Sequence, residues 1–183
     1  MITPEQMMAQ IRDAREQAFR DADPSLPMDP DGVGIDSYNR MRVVTRNFWV
    51  MPGIEWFEQL GTAWSGCDNI ARWRPFLREI LREATRAELD AMMTPEERTA
   101  LAAMPEKIQV WRGCYRINRP GLSWTLSRDI AARFPTLARY CRKDDVPILR
   151  LGHVRRDRVV LKLDRNEQEI IAANVFGITE VRL

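Results

Sequence analysis

The spacing of hydrophobic positions changes near Pro105, and two kinds of element follow from it. Before that point apolar residues recur at three and four: Met7, Met8, Ile11, Ala14 and Ala18, then a second set across 54–64, then Ile70, Trp73, Phe76, Leu77, Ile80, Leu81, Ala84 and Leu89 across 70–93. The spacing predicts amphipathic helices over these stretches. The first is started by Thr3-Pro4-Glu5-Gln6, a capping hydroxyl followed by Pro at the first helical position. Thr94-Pro95-Glu96-Glu97 repeats that signal with a Glu three residues after the cap, and predicts a short helix ending before Pro105. Extended structure in this half is expected only around 41–50. The run 23–34 is so rich in Pro, Gly and Asp that it reads as an exposed loop and the best candidate for mobility.

After Pro105 the pattern becomes short β-type runs at 108–111, 122–126, 146–154, 158–163, 169–173 and 178–183. One helix interrupts them, capped by Ser127, with Ile130, Ala131 and Phe134 on one face and a stop near Pro135. The expected fold class is therefore α+β. A helical lobe over 1–106 precedes a strand-rich core over 107–183, a pair of packed, mainly antiparallel sheets, in a single domain spanning 1–183.

Composition narrows the class without naming a partner. At 183 residues, 45% apolar and 30% charged, the chain has enough apolar surface to fold as a globular unit. The 28 basic and 26 acidic residues leave a formal charge of +2, too balanced to announce a nucleic-acid binder. Cys67, Cys114 and Cys141 are odd in number and far apart, which argues against a disulfide framework and a CxxC metal site. With no signal-peptide pattern and no apolar run near the roughly 20 residues that cross a bilayer, cytoplasmic residence is expected, or delivery into a target cell's cytoplasm, with no membrane partner.

Three segments of the second half carry candidate chemistry: Val110-Trp111-Arg112-Gly113, Leu122-Ser123-Trp124-Thr125-Leu126-Ser127 and Glu167-Gln168-Glu169-Ile170-Ile171. On a strand, residues two apart share a face, so Ser123 pairs with Thr125 and Glu167 is expected to project with Glu169. In order and content these segments resemble the arginine-serine-glutamate class of ADP-ribosyltransferases, which includes bacterial toxins and phage-encoded modifying enzymes. The resemblance covers roughly 107–183: an Arg on the first core strand, a Ser-x-Thr strand leading into a helix with Ala and Phe, then Glu-x-Glu before a late strand. Ser-Trp-Thr departs from the familiar Ser-Thr-Ser by placing an indole at the middle position, and no clear acceptor-recognition loop precedes Glu167 beyond Leu163-Asp164-Arg165-Asn166.

The resemblance implies NAD⁺ as the substrate, no metal, and ADP-ribose transfer with release of nicotinamide. Glu169 is then the catalyst, its carboxylate stabilising oxocarbenium charge that develops on the ribose in the transition state. Ser123 orients Glu169 and the ribose. Arg112, a planar fork that stays protonated, grips the pyrophosphate or adenosine side, with Gly113 and Thr125 completing the NAD⁺-binding set. Glu167 lies on the acceptor side, where a Glu in this family accompanies arginine acceptors. The expected partner is a macromolecular acceptor, a protein ahead of a nucleic acid. Nicotinamide leaves neutral, so no strong general acid is needed and the lone His153 is given a structural place.

Two other functions stay open at this stage. One is NAD⁺ hydrolysis, with water in place of the acceptor. The other is a degenerate transferase fold acting as a binding or inhibitory module, to which the Trp of Ser-Trp-Thr and the unrecognised acceptor loop point. Trp49, Trp56, Trp64 and Trp73 are expected mostly to pack, with Trp111 or Trp124 nearest the strands where a ring could stack on adenine or nicotinamide. The basic runs 139–143 and 155–158 are expected to form solvated faces or to guide an acidic protein or nucleic acid.

Overall fold

The computed structural model describes residues 3–68, 70–138, 140–142 and 145–183, so Arg139 and Lys143 of the first basic run lie outside the described residues. The chain divides into two compact units, Met1–Ile70 and Ala71–Leu183. The change from helix to strand does fall after Pro105, but the helices just before it group with the strands.

In the first unit α1 (Pro4–Asp21) starts as its sequence predicts: Gln6 N donates to Thr3 Oγ1 at 3.2 Å, and Thr3 N to Gln6 Oε1 at 2.9 Å. The side chains of Met8, Ile11, Ala14 and Ala18 on its expected apolar stripe lie outside the described residues, and Met7 is exposed. Residues 41–50, expected to be extended, instead form α2 (Arg40–Asn47) and a turn. Val43, Val44 and Thr45 have strand-type side chains, yet Met41, Val43 and Val44 are fully buried and Thr45 Oγ1 donates to Met41 O at 2.9 Å, so packing overrides local preference. Trp56 and Trp64 of α3 (Gly53–Trp64) complete this core, Trp56 Nε1 donating to Val44 O at 2.7 Å. Trp49 departs from expectation, standing 77% exposed because it falls in the turn after α2.

The Pro- and Asp-rich loop contains no helix or strand, as expected, but α2 holds it at several points. Asn47 brackets Met28, accepting from its N–H at 2.9 Å and donating to its carbonyl at 2.7 Å. Arg46 donates to Leu26 O, and Arg40 to Pro30 O and Gly66 O while pairing with Asp31 at 3.0 Å.

In the second unit the single helix expected over 70–93 is broken. α4 (Ile70–Glu83) ends where Thr85 opens α5 (Arg86–Ala91) with a full capping box to Glu88, a Thr-x-x-Glu signal hidden inside the apolar stripe. α6 (Pro95–Ala102) carries the box read at Thr94 and Glu97. The strands are β1 (Lys107–Cys114), β2 (Ser123–Thr125), β3 (Ile148–Arg155), β4 (Val159–Lys162), β5 (Glu169–Ala172) and β6 (Phe176–Arg182), with α7 (Arg128–Arg133) after β2, capped by Ser127.

The class is α+β, but the described strands form one antiparallel sheet, ordered β4-β5-β2-β1-β3-β6, where two packed sheets were expected. The reason is β2. It pairs along its length with β5 and meets β1 at one ladder pair, Trp111↔Thr125, which stitches two three-stranded halves together. Val159, Val160, Leu161, Ile170, Ile171, Val110, Leu149 and Val154 supply the buried sheet positions, and Leu77, Leu81, Leu89 and Met92 the helical ones. The run 155–158 is not a plain solvated face: Arg156 donates to Ala102 O and Arg158 to Ala84 O, satisfying carbonyls at helix C-termini, while Arg155 pairs with Asp157.

Candidate active site

β5, β2 and β1 are neighbours, so the three motif segments, distant in sequence, come together. Thr125 is the ladder partner of Glu169 on one side and Trp111 on the other, and Ser123 that of Ile171. Partners across an antiparallel ladder share a face, so Ser123, Thr125, Trp111 and Glu169 look to one side of the sheet. Thr125 also fastens the segment before Glu169. Its hydroxyl donates to Glu167 O at 2.6 Å and accepts from Ser127 N at 3.1 Å, while Leu126 N donates to Gln168 O.

Glu167 does not share a strand with Glu169, so the alternation argument for the two carboxylates fails. β5 begins at Glu169; Gln168 between them has φ 46°, and Asn166 has φ 54°. Two left-handed non-glycine residues in three positions make this a tight turn rather than the lead-in to a strand.

Arg112 reaches the site differently from the sequence expectation. One step along β1 from Trp111, it alternates to the opposite face, where its ladder partner is Arg150. Its guanidinium turns back to the β1–β2 connection, Nη1 donating to Ser123 O at 2.5 Å and Nη2 to Asn118 O at 3.1 Å. Gly121 makes room for it: a Cβ there would sit 2.0 Å from Arg112 Cζ. Burial pushes the guanidinium below its ordinary pKa and Arg150 adds to this, while Cys114 and Glu169 oppose it; a guanidinium starts so high that it stays charged. Gly113 is required by packing, since a Cβ would lie 1.8 Å from the carbonyl of Ala131 on α7.

The central indole of Ser-Trp-Thr does not obstruct the hydroxyl face. Trp124 alternates to the other side, is 4% exposed, and has the Arg150 guanidinium 5.5 Å from its ring centroid. The aromatic on the Glu169 face is Trp111, with Arg128 5.9 Å above its ring.

A charged network on the Arg112 side escaped the sequence reading. Glu180 on β6 is the ladder partner of Arg150, with Arg150 Nε at 2.8 Å from its carboxylate, and Arg119 also binds it. The hydrogen bond from Arg119 is the main reason the Glu180 carboxyl is held below the usual glutamate range. Only the β3–β6 register brings these residues together, and no local spacing announces it. A cleft of about 430 Å³ opens beside them, lined by Arg116, Arg119, Asp145, Ile148, Glu180 and Arg182; Arg112, Ser123, Thr125 and Glu169 do not line it.

His153 stacks on Phe176, at 6.1 Å between ring centroids. Among the described residues no group of His, Cys, Asp and Glu is placed to hold a metal ion, and no helix is long and apolar enough to cross a membrane. No protein-family model, curated protein or solved structure matches the chain.

Proposed function

We propose that this chain binds NAD⁺ and transfers its ADP-ribose to a macromolecular acceptor, a protein ahead of a nucleic acid, with Glu169 as catalyst. The observation that carries the reading is the juxtaposition of β1, β2 and β5, in which Thr125 is the ladder partner of Glu169 and Arg112 donates to the carbonyl of Ser123. Glu169 stabilises positive charge as the bond between nicotinamide and ribose breaks; nicotinamide departs neutral with the bonding pair, and the acceptor nucleophile replaces it at the ribose carbon. Ser123, on the Glu169 face, orients the ribose. Glu167 serves the incoming nucleophile, and an arginine side chain is the acceptor to try first.

Arg112 acts in this reading from the opposite face of the sheet: two of its N–H groups brace the β1–β2 connection and so set the position of Ser123. Thr125 acts through the backbone, holding the turn that delivers Glu169. Gly113 lets α7 approach β1, where the site needs a close backbone. Trp124 is buried on the face opposite Ser123 and Thr125, so its indole does not argue for a degenerate, purely binding role; the short segment before Glu167 is the motive that role keeps.

The test is incubation with NAD⁺ labelled in the ADP-ribose moiety, in cell extract. Labelling of a macromolecule by the wild type, and its loss by about 100-fold or more in Glu169→Gln, is the expected result. Persistent labelling by Glu169→Gln overturns the assignment of the catalyst. Free ADP-ribose released at full rate without acceptor makes the chain an NAD⁺ hydrolase instead, and absence of NAD⁺ binding defeats both enzymatic readings.

A further inference from the structure

At the base of the β4–β5 hairpin lies a buried ion pair that the reading above does not use. Glu97, in the first turn of α6, is 3% exposed, and Lys162, the last residue of β4, is 7% exposed; Nζ and Oε2 are 3.0 Å apart. The same carboxylate accepts from Thr94 N at 2.9 Å through Oε2 and from Leu163 N at 2.8 Å through Oε1. Lys162 also reaches toward Met92 O at 3.4 Å. Every partner of Glu97 is therefore at the start of α6 or at the point where β4 ends.

That point matters because Lys162 is the ladder partner of Glu169. The loop 163–168 leaves the sheet at Leu163 and returns at Glu169. Thr125 and Leu126 tie its far end through the carbonyls of Glu167 and Gln168. Glu97 ties its near end, and between the ties two residues sit at positive φ. A turn with two left-handed non-glycine residues persists only where its surroundings over-determine it.

Stability alone gives a poor account of this ion pair, because replacing a buried pair by apolar side chains of similar volume is often neutral or stabilising. What an apolar pair cannot do is accept the N–H of Leu163. We infer that Glu97, supported by Lys162, is a positioning residue: it fixes the near end of the 163–168 loop and so the approach of Glu167 and Glu169 to the substrate. The inference rests on the transferase reading for its catalytic consequence and on the loop geometry alone for its structural one.

Two double variants separate position from stability. Glu97→Gln/Lys162→Met removes both charges and keeps one acceptor oxygen, enough for Leu163 N but not for Thr94 N as well; Glu97→Leu/Lys162→Met removes the acceptor altogether. Hydrogen exchange across 163–168 and the kinetics of NAD⁺ consumption are measured on both, beside wild type. The Gln/Met variant is expected to keep wild-type loop protection. The Leu/Met variant is expected to exchange at least about tenfold faster in the loop, with kcat down by about 10- to 100-fold and KM within about twofold. Wild-type loop exchange in a folded Leu/Met variant overturns the inference. Should that variant not fold, the Leu163 amide of the wild type decides: exchange as slow as in β4 supports the tie, and exchange as fast as at Asp164 to Asn166 refutes it. If wild type consumes no NAD⁺, the transferase reading falls while the exchange data still decide the role of Glu97.

Discussion

The two halves of the sheet are made differently. In β4-β5-β2 every residue of β4 is buried, β5 is buried after Glu169, and α5 and α6 close over the outer strand: Arg86 donates to Val159 O and Leu161 N to Met93 Sδ. In β1-β3-β6 the outer strand has all seven residues exposed, and an arginine–carboxylate network lies beside the buried Val110, Leu149 and Val154 of the inner strands. Glu169 belongs to the first half and Arg112 to the second. The proposed catalyst is set in the half whose edge strand is buried under helices, while the residue bracing Ser123 comes from the half whose edge strand is exposed and linked by charge. A carboxylate that must meet developing charge at a fixed place gains from a surround that does not reorganise.

The largest effect that tests this contrast comes from equivalent truncations. Ile170→Ala in β5, at a fully buried position, is expected to lose about 2–5 kcal/mol by urea unfolding, whereas Ile178→Ala in β6, 39% exposed, loses less than about 1 kcal/mol. Equal losses erase the distinction. A smaller effect sharpens it. Gly113→Ala forces a methyl group against Ala131 O and should cost about 1–3 kcal/mol, showing that β1 is tightly packed although it lies in the second half. Gly121→Ala meets the Arg112 guanidinium, so it should displace that group from the carbonyls of Ser123 and Asn118 and cost about 1–3 kcal/mol by urea unfolding; unchanged stability means Arg112 does not hold the connection.

The smallest effect is electrostatic. The Glu180 carboxyl is held down chiefly by the hydrogen bond from Arg119, so its folded pKa lies below the unfolded one. The stabilisation it gives is present above the usual glutamate value and is lost as pH falls through the depressed one. Because the side chain is 24% exposed, solvent screening keeps the contribution under about 1 kcal/mol. Thermal unfolding from neutral pH into the acid range should fall more for wild type than for Glu180→Gln; parallel curves mean the network contributes nothing measurable.

Much of the secondary structure was legible because its signals are local. Ser127, Thr94 and Thr3 cap the helices they announce, and the β-type runs after Pro105 are the strands. Val43, Val44 and Thr45 misled because burial in a helical core outweighs a preference worth tenths of a kcal/mol per residue. At the site, Arg112, Ser123 and Glu169 could be named in order, yet their mutual orientation could not. It depends on which strands pair and in what register, on a turn at Gln168 that cancels the alternation linking Glu167 to Glu169, and on a guanidinium that folds back to a carbonyl. Arg150 and Glu180 were invisible for the same reason, since a ladder between β3 and β6 is a fact of tertiary structure.

The backbone ladder between β1 and β2 is one pair long, Trp111↔Thr125, so side chains carry much of the join between the flanks. The Arg112 guanidinium on the carbonyl of Ser123 is one of those joins, a strut from β1 to β2.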